Sequence, residues 1–176
     1  MKVVAIAVAS INGKITKGLD SNIYSWTSKE DSNFFFSKIS ASKLIVMGSS
    51  TYEVVRDRIK PKKGRLRIVL TKTPQKYSRD KVTGVLEFSG LKPVDLISSL
   101  EKQGYGQMLL VGGSAIYSAF LKEKLIDEIY LTVEPLIFGD GKELFAKGDF
   151  ASDLSLVRIE KLNDRGSLLL KYKINK

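Results

Sequence analysis

Any proton moved by this chain must travel through a carboxylate, a lysine, a tyrosine or water, because its 176 residues include neither histidine nor cysteine. That composition removes the commonest general base, the thiolate nucleophiles and the usual nitrogen and sulfur metal ligands. No disulfide and no metal site is expected. Among the carboxylates, Asp31 has the most suggestive setting. Trp26 precedes it closely, and on a helix starting near Lys29 the side chains of Asp31, Phe34, Phe35 and Lys38 share one face, at i, i+3, i+4 and i+7. A carboxylate held beside aromatic rings in a cleft loses hydration, which raises its pKa toward the range useful for acid catalysis. The same position also suits an ordinary helix-start carboxylate favoured by the macrodipole. Ser28 with Asp31 three residues on resembles a capping box, with Asp in place of Glu.

Two glycine turns add a second kind of chemistry. The apolar run Met108–Leu109–Leu110–Val111 reaches Gly112–Gly113, and a helix-compatible segment begins at Ser114. Glycine lets a ligand approach the backbone closely, and a helix N-terminus offers unpaired amides and partial positive charge to an anion. Lys43–Met47 leads likewise into Gly48–Ser49–Ser50–Thr51. Neither turn is G-x-G-x-x-G or a Walker loop, which disfavours an ordinary dinucleotide fold or an ATPase. Taken singly, each also reads as a plain strand-to-helix turn.

The elements that must position these residues follow from periodicity. Residues 2–10 are β-branched and apolar on both alternations, as in a central strand buried on two faces. A loop carrying Trp26 leads to a helix over about 29–39, and strands are expected at 43–47, 66–70, 82–88, 108–111 and 126–133. Pro93 opens a helix that runs to about Gln103, and Ser114–Lys122 forms another. Asp153–Leu162 and Ser167–Ile174 read as a hairpin around Asn163–Gly166, with Leu168, Leu170, Tyr172 and Ile174 pointing inward. Strands alternating with helices, followed by an antiparallel pair, give an α/β sheet whose ligands sit beyond the carboxyl ends of its strands. Both glycine turns fall at that edge.

The net charge of +10 favours anionic partners. The basic run Lys60, Lys62, Lys63, Arg65 and Arg67 reads as a solvated loop, and without interleaved aromatics it is a poor nucleic-acid site. The length suits one domain over 1–176. No stretch is apolar for long enough to span a bilayer, and MKVVAIAVASING lacks a cleavage pattern, so the expected location is cytoplasmic.

In order, A-S-I-N-G-K-I at 9–15, W-T-S-K-E-D at 26–31, M-G-S-S-T-Y-E at 47–53, I-V-L-T-K-T-P at 68–74 and L-V-G-G-S-A-I-Y at 110–117 resemble the dihydrofolate reductase superfamily over nearly the whole chain. Residues 9–15, together with 120–129 and P-L-I-F-G-D-G at 135–141, are most similar to the reductase domain of riboflavin biosynthesis, the C-terminal part of the deaminase-reductase, and to its stand-alone relatives.

The resemblance implies a three-layer dihydrofolate-reductase-like fold, with a mostly parallel sheet ending in antiparallel strands, and NADPH-dependent hydride transfer in a cleft. By carry-over, Gly48, Ser49, Ser50, Thr51, Thr71 and Lys72 would meet the phosphates and adenosine end of the cofactor. Gly112, Gly113, Ser114, Ala115 and Ile116 would hold the pyrophosphate and nicotinamide side, with the Gly–Gly bond commonly cis. Ala7, Ile15 and Thr16 would line the nicotinamide pocket, Ala7 toward the substrate. Asp31 matches the acidic residue that hydrogen-bonds the pterin in folate reductases, and Trp26, Phe35 and Thr132 match substrate-pocket positions. The arginine that folate reductases often carry after M-G is Ser49 here, which leaves Lys72 to read a 2′-phosphate. The D-D-P segment common in the riboflavin enzymes is absent. The expected substrate is a phosphoribosylamino-pyrimidine, with a folate or pterin as the rival and a non-catalytic nucleotide or nucleic-acid binder as the alternative of another class. Relatives of this kind often form homodimers.

Overall fold

Lys2–Ser10 forms strand β1, central in a parallel sheet, with Val3, Val4, Ala5 and Ile6 all buried because packed layers cover both faces. The computed structural model describes residues 1–176. Helix α1 (Lys29–Ala41) follows a loop and is followed by β2 (Leu44–Gly48), α2 (Ser49–Val55), β3 (Leu66–Leu70), β4 (Leu86–Ser89) and α3 (Pro93–Lys102). The chain continues through β5 (Gln107–Leu110), α4 (Ser114–Lys122), β6 (Glu128–Glu134), β7 (Leu154–Lys161) and β8 (Leu168–Ile174). One eight-stranded sheet results, in the order β4-β3-β2-β5-β1-β6-β8-β7. The strands from β4 to β6 pair in parallel, while β8 runs antiparallel to both β6 and β7. No helix is long and apolar enough to cross a membrane.

The alternation within each strand divides the interior into two cores, giving three layers. Val3, Ala5, Leu44, Val46, Met108 and Leu110 face α3 and α4, where Leu96, Leu100, Tyr117 and Phe120 complete the cluster. Val4, Ile6, Ile45, Met47 and Leu109 face the opposite way, toward Tyr52 of α2 and Phe34, Phe35 and Ile39 of α1. The first core is closed. Beneath α1 the second is partly open, and Asp31 is the one fully buried residue on that helix.

Several expectations needed correction. Residues 82–85 are a turn rather than strand, closed by reciprocal backbone bonds between Val82 and Leu86 at 2.9 and 2.8 Å, so β4 begins only at Leu86. The basic run is solvated at Lys60, Lys62 and Lys63 but not at its end, where Arg65 and Arg67 are 8% and 7% exposed. Arg65 donates to the carbonyls of Ser40 and Ser42 at 2.8 and 3.0 Å and so binds the carboxyl end of α1, a favourable place for a cation. In β8, Ile174 and Tyr172 join the α3/α4 core as the alternation requires, but the most buried side chain is Leu169 on the other face. Leu169 pairs in register with Thr132, and both are 1% exposed. The start of α1 lies against that face.

Candidate active site

The carboxyl ends of β1, β2, β3 and β5 open into one cleft of about 1010 Å³, and both glycine turns contribute to its wall. They also touch each other, since the Gly48 amide donates to the Gly112 carbonyl at 2.7 Å. This contact explains both glycines. A Cβ on Gly48 would lie 2.7 Å from Ile116, and Gly112, at φ +101°, would press a Cβ to 3.1 Å from the hydroxyl of Tyr117. Tyr117 is itself fixed by donating to the Ile6 carbonyl of β1. The Gly112–Gly113 peptide bond is cis. No side chain caps α4, so its leading amides at Ser114 and Ala115 are presented to the cleft, where Ser49, Ser50 and Thr51 bring hydroxyls from α2. Unpaired amides at a helix start together with clustered hydroxyls form a donor set suited to a phosphate or pyrophosphate. These residues therefore fit a phosphate-bearing cofactor, and Thr71 and Lys72 extend the same wall.

Asp31 enters the cleft from α1, together with Phe35. It is 6% exposed, and burial, reinforced by the nearby carboxylate of Glu134, lifts its pKa to about 6 against the opposing influence of the Thr132 hydroxyl. The helix start that carries it is capped as expected on one side only. Ser28 Oγ accepts from the Asp31 amide at 3.2 Å, but the Ser28 amide donates at 2.8 Å to Glu134 Oε1 rather than to Asp31. The reciprocal half of the capping box is thus supplied from β6, and the expected Ser28–Asp31 box is only half made.

Ala7, Ile15, Thr16, Gly113 and Ile116 line the same cleft, so it gathers every residue that the family resemblance assigned to cofactor or substrate except Trp26 and Thr132. Thr132 sits behind the wall, next to Asp31. Trp26 packs edge-on against Phe138 with ring centroids 5.2 Å apart, and its indole N–H is buried without a partner. The Thr16 hydroxyl is already engaged, accepting from the Lys142 amide at 2.8 Å and donating to the Gly18 carbonyl at 3.1 Å. Thr16 therefore ties the cleft's flank to residues 141–144 and has no hydroxyl proton left for a ligand. Sequence reasoning missed Arg58, Arg67 and Glu134. Arg58 and Arg67 line the cleft without pairing to any carboxylate, and burial pulls the Arg67 guanidinium down from its usual pKa. A basic residue inside the apolar strand L-R-I-V-L, and an acidic one closing β6, were the available signals.

The sequence profile of the RibD C-terminal domain matches residues 1–167. The chain belongs to the RibD C-terminal domain family. This places it in a family of reductases. As a RibD C-terminal domain protein it is 27% identical over 149 residues to the uncharacterized protein YwjB of Bacillus subtilis, with 82% of each chain covered. It spans about half the length of the bifunctional dihydrofolate reductase-thymidylate synthase of Plasmodium vinckei, 48%, at 32% identity over 93 residues. Its fold matches the diaminohydroxyphosphoribosylaminopyrimidine deaminase/5-amino-6-(5-phosphoribosylamino)uracil reductase of Thermotoga maritima with a TM-score of 0.76 at 16% identity, over 99% of this chain and 56% of that one. The dihydrofolate reductase of Enterococcus faecalis, solved with NADP(H), matches at 0.65 and 23% identity, covering 99% and 97%.

Proposed function

We propose that the protein is an NADPH-dependent reductase of the riboflavin-biosynthesis type, acting on a 5-amino-6-(5-phosphoribosylamino)uracil-like pyrimidine. The carrying observation is that one cleft holds both a phosphate-suited cradle, at Gly48–Thr51 and Gly112–Ile116, and a desolvated carboxyl at Asp31. NADPH, when bound, supplies the hydride. Reduction of a C=N bond adds that hydride to carbon and a proton to nitrogen, and Asp31, buried with its pKa raised to about 6, is the group in the wall best suited to give the proton. Phe35 offers an apolar surface to a flat heterocycle beside it. Arg58 and Arg67, free of carboxylate partners, suit the phosphate of a phosphoribosyl group. Lys72, exposed at the cleft wall, suits a 2′-phosphate and so favours NADPH over NADH.

A folate or pterin substrate is the second reading, and the buried Asp31 backed by Thr132 favours it. Loss of the reduced-nicotinamide absorbance with each substrate separates the two. Turnover of the pyrimidine supports the proposal, turnover of dihydrofolate alone supports the rival, and oxidation with neither overturns both. We also infer a homodimer: β7 is an edge strand with Leu154, Leu156, Val157 and Ile159 exposed by 43, 52, 67 and 58%. Light scattering should give twice the chain mass, falling to the chain mass in Val157→Lys.

A further inference from the structure

Glu134 is buried, 3% exposed, at the carboxyl end of β6, and both of its oxygens are occupied. Oε1 accepts from the Ser28 amide at 2.8 Å, and Oε2 accepts from the Ser167 hydroxyl at 2.5 Å. Ser167 immediately precedes β8 and is held in turn by Asn163, whose side-chain oxygen accepts from the Ser167 amide at 3.2 Å and whose amide group reaches Glu30 at 3.1 Å. One carboxylate therefore joins the start of α1 to β6 and to the β7–β8 turn. In a helix that closes its own capping box, the acidic residue three positions after the cap turns back to the cap amide. Here that amide is taken by Glu134, and the Asp31 carboxyl lines the cleft instead.

We propose that Glu134 is a positioning residue for the reductase site: it completes the α1 cap in place of Asp31, which leaves the Asp31 carboxyl turned into the cleft with a second negative charge beside it. The proposal rests on the reductase reading only for its consequence in catalysis. Its geometry stands apart from that reading. The groups facing Asp31 are Thr132 and Glu134, both on β6, and of these only Glu134 bears charge. Two buried carboxylates at close range oppose each other's ionisation, so Glu134 holds the proton on Asp31 to higher pH.

The test is a ¹³C NMR titration of the Asp31 carboxyl in the full chain, which needs no cofactor and no substrate. In wild type the midpoint should lie near 6. In Glu134→Gln, which keeps the side chain's size and an acceptor for Ser28 but removes the charge, it should fall by roughly half a unit or more. In the NADPH assay, kcat at neutral pH should then drop about threefold while staying unchanged well below the midpoint. Should Glu134→Gln not fold, Glu134→Met, a side chain of nearly the same length without charge, carries the test, and the Asp31 midpoint should again fall. An unmoved Asp31 midpoint in either folded variant overturns the proposal. A moved midpoint without any NADPH oxidation upholds the positioning role and rejects the reductase reading.

Discussion

On one side the cleft is walled by backbone and small side chains from two contiguous stretches, Gly48–Thr51 and Gly112–Ile116; on the other it is walled by side chains brought together from α1, β3 and the residues after α2, and braced from behind by β6 and β8. The glycine side is local. Each stretch carries its own strand end, turn and helix start, and the two meet through a single bond from the Gly48 amide to the Gly112 carbonyl. The Asp31 side is non-local, with Ser28 and Glu134 106 residues apart in sequence and Glu134 and Ser167 33 apart. A backbone cradle accepts anything bearing phosphate, whereas a desolvated carboxyl demands a particular proton acceptor. Binding and chemistry are therefore separable in this cleft, and substitutions should divide accordingly.

The largest effect is expected from Asp31→Asn. It should lower kcat about 10²- to 10⁴-fold, the usual contribution of a positioned acid, while leaving the NADPH Kd within about twofold. Loss of cofactor affinity in that variant would erase the division between the two sides. Next comes Gly113→Val. Its Cβ would lie 3.2 Å from the Thr51 hydroxyl, and the larger side chain would crowd the cradle. About 3 kcal/mol of such crowding weakens NADPH binding roughly a hundredfold, measurable by fluorescence titration. Unchanged affinity would return the turn to ordinary architecture. Lys72→Glu should raise KM for NADPH about tenfold and hardly affect KM for NADH, as expected when one charge-assisted contact to a 2′-phosphate is reversed. Equal effects on the two cofactors would remove Lys72 from that role.

The last effect concerns stability rather than turnover. The folded-state pKa of Asp31 is raised, to about 6 from 3.8, so the folded protein holds a proton there that the unfolded chain has released. The stability this proton provides is present below the unfolded value and is lost as pH climbs through the window between the two. At pH 7 the buried charge costs about 3 kcal/mol, and Asp31→Asn should recover most of it, raising Tm by about 8 °C at pH 7 and by little at pH 4. Thermal melts at the two pH values check this. Equal Tm shifts at both would mean that burial of the charge is not the cause.

The same contrast explains what could be read in advance. The layers, the central β1 and both glycine turns were legible because each depends on a short stretch whose alternation or glycine content states its role. Asp31 was legible as a candidate because its neighbours Trp26 and Phe35 are close in sequence. Its partner was not. Glu134 lies one residue beyond the strand expected over 126–133, and only the pairing of β6 between β1 and β8 brings it beneath Ser28. Arg67 was read as solvated because it ends a basic run, whereas its register opposite Ile45 and Leu86 buries it. Tertiary register fixed both residues, and the local signals, a base inside an apolar strand and an acid at a strand end, do not reveal the partners that register supplies.

The central claim is that the Asp31 carboxyl, protonated within the cleft, supplies the proton that accompanies hydride transfer. The pH dependence of a single turnover of NADPH with the phosphoribosylamino-pyrimidine tests it most directly. The rate should be level at low pH and fall tenfold per unit above a midpoint near 6 in wild type, with no such fall in the residual rate of Asp31→Asn. A wild-type rate that rises with pH, or a fall that survives in Asp31→Asn, would contradict it.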